Sequence, residues 1–189
     1  ERKIKKQKPE TWWDKHGLNE DGTLELTSLF ETPKILDHPK PLKLINNITE
    51  TTTEKDSIIL DFFAGSGTTA HAVMDLNQQD GGNRKFILVQ LPEPCDEKSE
   101  ASKAGFKTIA DITKERVRRA GNKIREEIAK KTAENQAKPL TLFDSDGTLL
   151  TRLDLGFKVF KLDSSNIKAW CPDGDDLEQT LLDSIEHLV

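Results

Sequence analysis

Apolar residues fall along this chain in short blocks whose spacing changes from block to block. Ser57 to Phe63 is nearly all apolar, interrupted at Asp61, the pattern of a strand buried on both faces of a parallel sheet. Thr68 to Asn77 sets Thr69, Ala72, Val73 and Leu76 on one helical face, Asp80-Gly81-Gly82-Asn83 ends it, and Lys85 to Leu91 is a second apolar strand. Residues 58 to 91 therefore predict one strand-helix-strand unit. Upstream, Lys40 to Ile48 has helical spacing, with Pro41 at the first helical position. Pro92 to Lys103 reads as a polar loop. Beyond it Ile109, Ile112, Val117, Ala120, Ile124 and Ile128 predict a long amphipathic helix that tolerates Gly121 at about 1 kcal/mol and turns a basic face outward. Pro139 to Phe143 and Thr148 to Leu153, joined across Asp146-Gly147, predict a hairpin, Gly156 to Leu162 a strand, and Leu177, Leu181, Leu182, Ile185 and Leu188 the stripe of a last helix. Residues 1 to 33 read as charged and irregular, with Trp12-Trp13 and a turn centred on Gly22. Three regions follow: an irregular basic segment (1–33), an α/β core (34–135), and a C-terminal hairpin, strand and helix region (136–189).

At 189 residues the chain has room for about one domain. Its longest apolar run, Ile58 to Ala64, is far too short to span a bilayer, which excludes a membrane helix. No export signal opens the chain, and a start without methionine suggests a fragment or a processed product. Cys95 and Cys171 have no partners at zinc-ligand spacing and make no disulfide framework, so a reducing, cytoplasmic setting is expected. The net charge of −5 is unevenly spread. Eight bases lie between Lys114 and Lys131 against three glutamates, while no Lys or Arg follows Trp170, which permits a polyanion partner on one face. The plainer reading of that cluster is a solvated helix face with mixed-sign pairs.

The most informative stretch joins the first strand to the helix after it. Gly65 and Gly67 allow a sharp turn and a close backbone approach to a ligand, while the helix beginning near Thr68 aims free amides at it. Gly65-Ser66-Gly67-Thr68-Thr69-Ala70 fits the loose G-x-G-x-x-G/A pattern, compatible with NAD, FAD or S-adenosylmethionine. Asp61-Phe62-Phe63-Ala64-Gly65-Ser66-Gly67-Thr68-Thr69 narrows the choice. It resembles the S-adenosylmethionine motif D-x-F-x-G-S-G-T-T of the amino (DNA adenine) methyltransferases, most closely the modification subunits of type III restriction-modification systems. Pro39 to Ile45 resembles the K-P-x-x-L-I element of the permuted group of these enzymes. Phe86 to Glu93, Gly105 to Arg119 and Gly156 to Asn166 are also similar to stretches of the type III subunits, so the resemblance covers roughly residues 20 to 170.

That resemblance implies a doubly wound, Rossmann-like α/β methyltransferase fold with a partial parallel or mixed sheet and flanking helices. It implies S-adenosylmethionine as cofactor, held by Lys40, Asp61, Phe62, Phe63, Ala64, Gly65, Ser66, Gly67, Thr68, Gln90 and Glu93. Glu93 would accept hydrogen bonds from the ribose hydroxyls, Asp61 would face the ammonium and Lys40 the carboxylate. Gly65 to Gly67 would pass beneath the methionine part, and Phe62 or Phe63 would pack near the cofactor. Implied partners are double-stranded DNA, a second modification subunit and an ATP-dependent restriction subunit, with no membrane.

The chain departs from the family where chemistry is concerned. The Asp/Asn/Ser-Pro-Pro-aromatic motif that accepts the hydrogens of the target amine and stacks on the flipped base is absent, since there is no Pro-Pro pair and no tyrosine. In the permuted group it lies upstream, so a C-terminal cofactor-binding portion that does not methylate DNA alone is expected, with no catalytic residue and no metal ligand. Four competing readings exist. Leu140 to Leu150 is similar to the h-h-h-D-x-D-G-T opening of haloacid-dehalogenase-type phosphatases, but only 43 residues follow Asp146. Asp144-Ser145-Asp146-Gly147 also begins like a calcium loop, yet Leu155 stands where the twelfth-position glutamate belongs. An NAD- or FAD-binding oxidoreductase fragment would share the glycine loop and Glu93, and a noncatalytic module could bind other subunits through the basic helix and last stripe.

Overall fold

The computed structural model describes residues 17–134, 153–162 and 176. The chain divides into two compact units, residues 1–156 and 157–189. In the first, α1 (Asn19–Phe30), α2 (Leu42–Thr52), β1 (Ile58–Asp61), α3 (Thr68–Asp80), β2 (Lys85–Leu88), α4 (Glu100–Lys103) and α5 (Ile109–Glu134) follow one another. The described residues of the second unit belong to no helix or strand.

Parallel strands β1 and β2 pair Ile58 with Lys85 through Asp61 with Leu88, and α3 makes the crossover. Bonds from Val89 N to Asp61 O (2.8 Å) and from Ala64 N to Val89 O (3.1 Å) carry the pairing past the strand ends. Left-handed Gly81 caps α3 and turns the chain toward β2. α3 buries Ala70, Ala72, Val73, Met74 and Leu76 and packs against α2, β2 and α5. Leu26 and Phe30 of α1 join Ile35, Ala101 and Ile112 in a second apolar cluster, where Phe106 meets Phe30 edge to face at 5.7 Å.

Several expectations are corrected. Residues 19–30 form a helix rather than an irregular segment, and Gly22 is not a turn residue. A Cβ there would lie 2.2 Å from the Pro39 carbonyl oxygen, so glycine is what lets α1 press against the chain leading into α2. Asp21 closes the helix start by accepting from Leu18 N at 2.7 Å. Pro41 is the N-cap of α2 rather than its first helical residue, and the amide of Leu42 is taken by Glu25 Oε2 of α1 at 2.7 Å. The Pro92 to Lys103 loop contains α4, started by Ser99, whose Oγ accepts from Ser102 N.

The strands are not buried on both faces. Ile59, Phe86 and Leu88 are half-buried, but Ile58, Leu60 and Ile87 on the other face are 65%, 59% and 51% exposed, because no described element packs over that side. Where a strand is expected at Gly156 to Leu162, the described residues 156–162 lie outside any helix or strand. Gly121 is more than a tolerated defect: a Cβ would stand 3.1 Å from the Leu155 carbonyl oxygen, so α5 uses it to admit the returning chain. Trp12-Trp13, Cys171, the hairpin across Asp146-Gly147 with its phosphatase-like and calcium-like motif, and the stripe from Leu177 to Leu188 lie outside the described residues.

Candidate functional site

The loop between β1 and α3 sits where both parallel strands end. Gly65 and Gly67 adopt left-handed φ values of 51° and 83°, conformations that are costly for residues with a Cβ. Gly67 N donates to Ala64 O at 2.7 Å, closing the turn, and Gly65 N donates to Gln90 Oε1 at 2.7 Å, tying the loop to the end of β2. The Asp61 carboxylate accepts from Phe63 N (3.1 Å) and Thr69 Oγ1 (2.6 Å), bracing both ends of the loop.

The two glycines serve different neighbours. A Cβ on Gly67 would stand 3.1 Å from Thr113 Cγ2 of α5, so this residue permits close packing from below. A Cβ on Gly65 would find nothing nearer than Phe63 O at 3.9 Å, so this residue borders open space. The open side of the loop thus lies beside the start of α3, with Asp61 at the end of β1 and Glu93 five residues past the end of β2.

Beneath the loop lies a polar interior that the sequence reading missed. Arg116 of α5 is completely buried, and its Nη1 donates to Ser66 Oγ at 2.6 Å and Thr68 Oγ1 at 2.7 Å. Thr68 Oγ1 donates in turn to Lys40 O at 3.2 Å, and the Thr113 hydroxyl donates to Gly65 O. Burial lowers the Arg116 pKa to about 10, which leaves it charged at neutral pH. His71 lies nearby, buried, with Nδ1 unpartnered; burial and then the charge of Arg116 push its pKa down to about 3, so it is neutral. Half-buried Glu25 is pushed upward by desolvation, against the Leu42 amide and the Arg116 charge. A signal for Arg116 existed: it stands four residues from both Ile112 and Ala120, inside the apolar stripe rather than on the basic face.

Asp61, Ala64 to Thr68, Gln90 and Glu93 are gathered at one end of the sheet. Glu93 is exposed, 3.4 Å from Gln90 Nε2, and its carbonyl takes the amide of Ile109. The Ser66 and Thr68 side chains point inward, toward Arg116, so only their backbone faces the open side of the loop. Lys40 contributes its carbonyl to Thr68 while its side chain is exposed. Phe62 and Phe63 are exposed, with ring centroids 5.0 Å apart, and border an open groove of about 240 Å³ between α2 and β1 that Ile45, Ile48, Ile59 and Leu60 also line. On α5, Lys114 pairs with Asp111 at 2.7 Å, and Arg119 pairs with Glu115 at 2.8 Å while stacking on Phe30, so part of the basic cluster is neutralised within the fold. Among the described residues no group of three or more His, Cys, Asp or Glu could hold a metal, and no helix is long and apolar enough to cross a membrane.

A protein family described as DNA methylase matches residues 1–120. The chain is similar to the Mod subunit of the type III restriction-modification enzyme StyLTI of Salmonella typhimurium, 40% identical over 157 residues that make up 83% of this chain and 21% of that protein. It is 45% identical to the Mod subunit of the type III enzyme EcoP15I of Escherichia coli over 107 residues, 56% of this chain and 17% of that one. It is 46% identical to the type II methyltransferase M.KpnI of Klebsiella pneumoniae over 102 residues, 54% of this chain and 24% of that one. The chain thus spans about a fifth of the length of the curated relatives it matches.

Proposed function

The chain belongs to the DNA methylase family, and from that premise we propose that it is the S-adenosylmethionine-binding portion of a type III modification subunit that methylates adenine N6 in double-stranded DNA. The observation that carries the reading is the loop itself: two left-handed glycines, one bordering open space, at the joint carboxyl end of two parallel strands. A Rossmann-like sheet continued by further strands suits that position. When bound, the cofactor supplies a methyl group activated by its sulfonium.

The residues of this chain bind and orient. The backbone of residues 65–67 passes beneath the amino-acid end, Asp61 stands toward the ammonium and Lys40 toward the carboxylate. Glu93 accepts from the ribose hydroxyls, held in reach by Gln90, and Phe62 or Phe63 covers an apolar part of the ligand. Asp61 and Gln90 act twice, because each also fixes the loop. Holding both reactants in place would supply most of the rate. The 189 residues contain no Pro-Pro pair, so the group that receives the hydrogens of the target amine belongs to another part of the subunit. A second modification subunit, an ATP-dependent restriction subunit and a cytoplasmic setting complete the proposal.

Calorimetric titration with S-adenosylhomocysteine, in parallel with NAD and with Gly67→Val, tests it. Micromolar binding of the first ligand alone, lost in the variant, is expected. Binding of NAD in its place would overturn the cofactor and return the oxidoreductase reading.

A further inference from the structure

Arg116 poses a problem that packing does not solve. A fully buried guanidinium is costly to desolvate, and among the described residues no carboxylate lies close enough to form an ion pair with it. Its partners are two neutral hydroxyls, and its Nε has none. The nearest influences are the half-buried Glu25, which is already engaged with Leu42 N, and neutral His71. An apolar side chain of similar volume would fill this space without the desolvation cost, so the charge calls for a further account.

The geometry supplies one. Ser66 and Thr68 flank Gly67, and both turn their hydroxyls down onto the same nitrogen, so the charge lies one side-chain layer beneath the backbone of the loop. Thr113, one turn earlier on α5, fixes the Gly65 carbonyl from the same side. The loop therefore rests on a cation fixed in position and shielded from solvent, where fields act at greater strength than in water. We infer that Arg116 is the positioning and charge-selecting residue of the loop: it holds residues 65–68 in their ligand-ready form and favours a ligand whose end over the loop carries a carboxylate. The inference rests on the cofactor reading above and goes beyond it by assigning discrimination within that site to a residue that does not touch the ligand.

The test separates charge from scaffolding. Dissociation constants of the full 189-residue chain are measured for S-adenosylhomocysteine, which has the amino-acid end, and for 5′-methylthioadenosine, which keeps the nucleoside and thioether without it. Arg116→Gln retains an amide donor for Ser66 or Thr68 and removes the charge; Arg116→Lys retains the charge. In Arg116→Gln, binding of S-adenosylhomocysteine should weaken at least about tenfold, the scale of one charge interaction across several ångströms of protein. Binding of 5′-methylthioadenosine should stay within about threefold, and Arg116→Lys should restore the wild-type ratio of the two affinities. Equal weakening of both ligands would show a scaffold only, and no change in either would show a spectator; each overturns the inference. If Arg116→Gln does not fold by thermal unfolding, Arg116→Lys decides alone, because a ratio moved more than threefold from wild type is then incompatible with selection by charge. Failure of the wild-type chain to bind S-adenosylhomocysteine would instead overturn the cofactor reading, and this inference with it.

Discussion

Beneath the glycine loop, Ser66 and Thr68 meet Arg116 and Gly65 meets Thr113, whereas along the open side of the sheet Ile58, Leu60, Ile87 and Val89 stand about half exposed or more. The contrast runs against composition. Hydroxyls, a guanidinium and an imidazole sit in the buried interior, while a run of β-favouring apolar residues is exposed. A polar cluster can be satisfied by a handful of side chains, because each hydrogen bond needs only one correctly placed partner. An apolar strand face needs a whole layer laid over it, and the described residues supply that layer on one side only.

The comparison can be broken most forcefully on the buried side. Met74→Ala should cost about 2–5 kcal/mol, because Met74 is 1% exposed between α3 and α5. Gly22→Ala should cost about 1–3 kcal/mol through its contact with Pro39, both effects being read from urea denaturation midpoints. Next in size is a pH effect. His71 is held neutral to about pH 3 in the folded state but titrates near 6.5 when unfolded. Between those values the unfolded chain binds the extra proton, so stability falls as pH falls, by up to about 1.4 kcal/mol per unit. Glu25, raised in the folded state, acts in the opposite sense as pH rises through and above 4.5, so the difference between wild type and His71→Leu at pH 7 and pH 5 isolates the histidine. Asp111, lowered to about 2, loses its contribution only below pH 3.8 and leaves that window untouched.

Smaller effects sharpen the contrast from the open side. Leu60→Ser should change stability of this chain by less than about 1 kcal/mol despite removing a large apolar group, in a denaturation series run beside Met74→Ala. Lys103→Ala, which removes an exposed pair with Glu100, should shift the midpoint by no more than about 0.5 kcal/mol. A loss at Leu60 as large as that at Met74 would mean that the open face is covered in solution.

What the sequence revealed follows the same division. β1, α3, β2 and α5 were legible because period, glycine breaks and length agree at each of them. The loop was legible because two glycines one residue apart follow the end of an apolar strand, and left-handed φ values of 51° and 83° are adopted by glycine at the least cost. α1 was not, since Gly22 carries the same letter whether it makes a turn or lets two backbones touch, and only the Pro39 contact tells the two apart. Arg116 was hidden among seven other bases, although the three- to four-residue spacing of its apolar neighbours points it inward. The inward turn of Ser66 and Thr68 had no local signal, because it depends on a helix about fifty residues downstream.

That dependence orders the folding of the molecule in time. Gly65 is fixed by Gln90, 25 residues later, and by Thr113, 48 residues later, and Ser66 is fixed by Arg116, 50 residues later. Each bond closes a chain loop whose entropy must be met before the bond forms, and such separations favour late events. The glycine loop is therefore expected to take its shape late, after the crossover has paired and α5 has docked. A ligand that selects that shape selects the folded unit as a whole, so its binding should stabilise residues as distant as α5 along with the loop it touches.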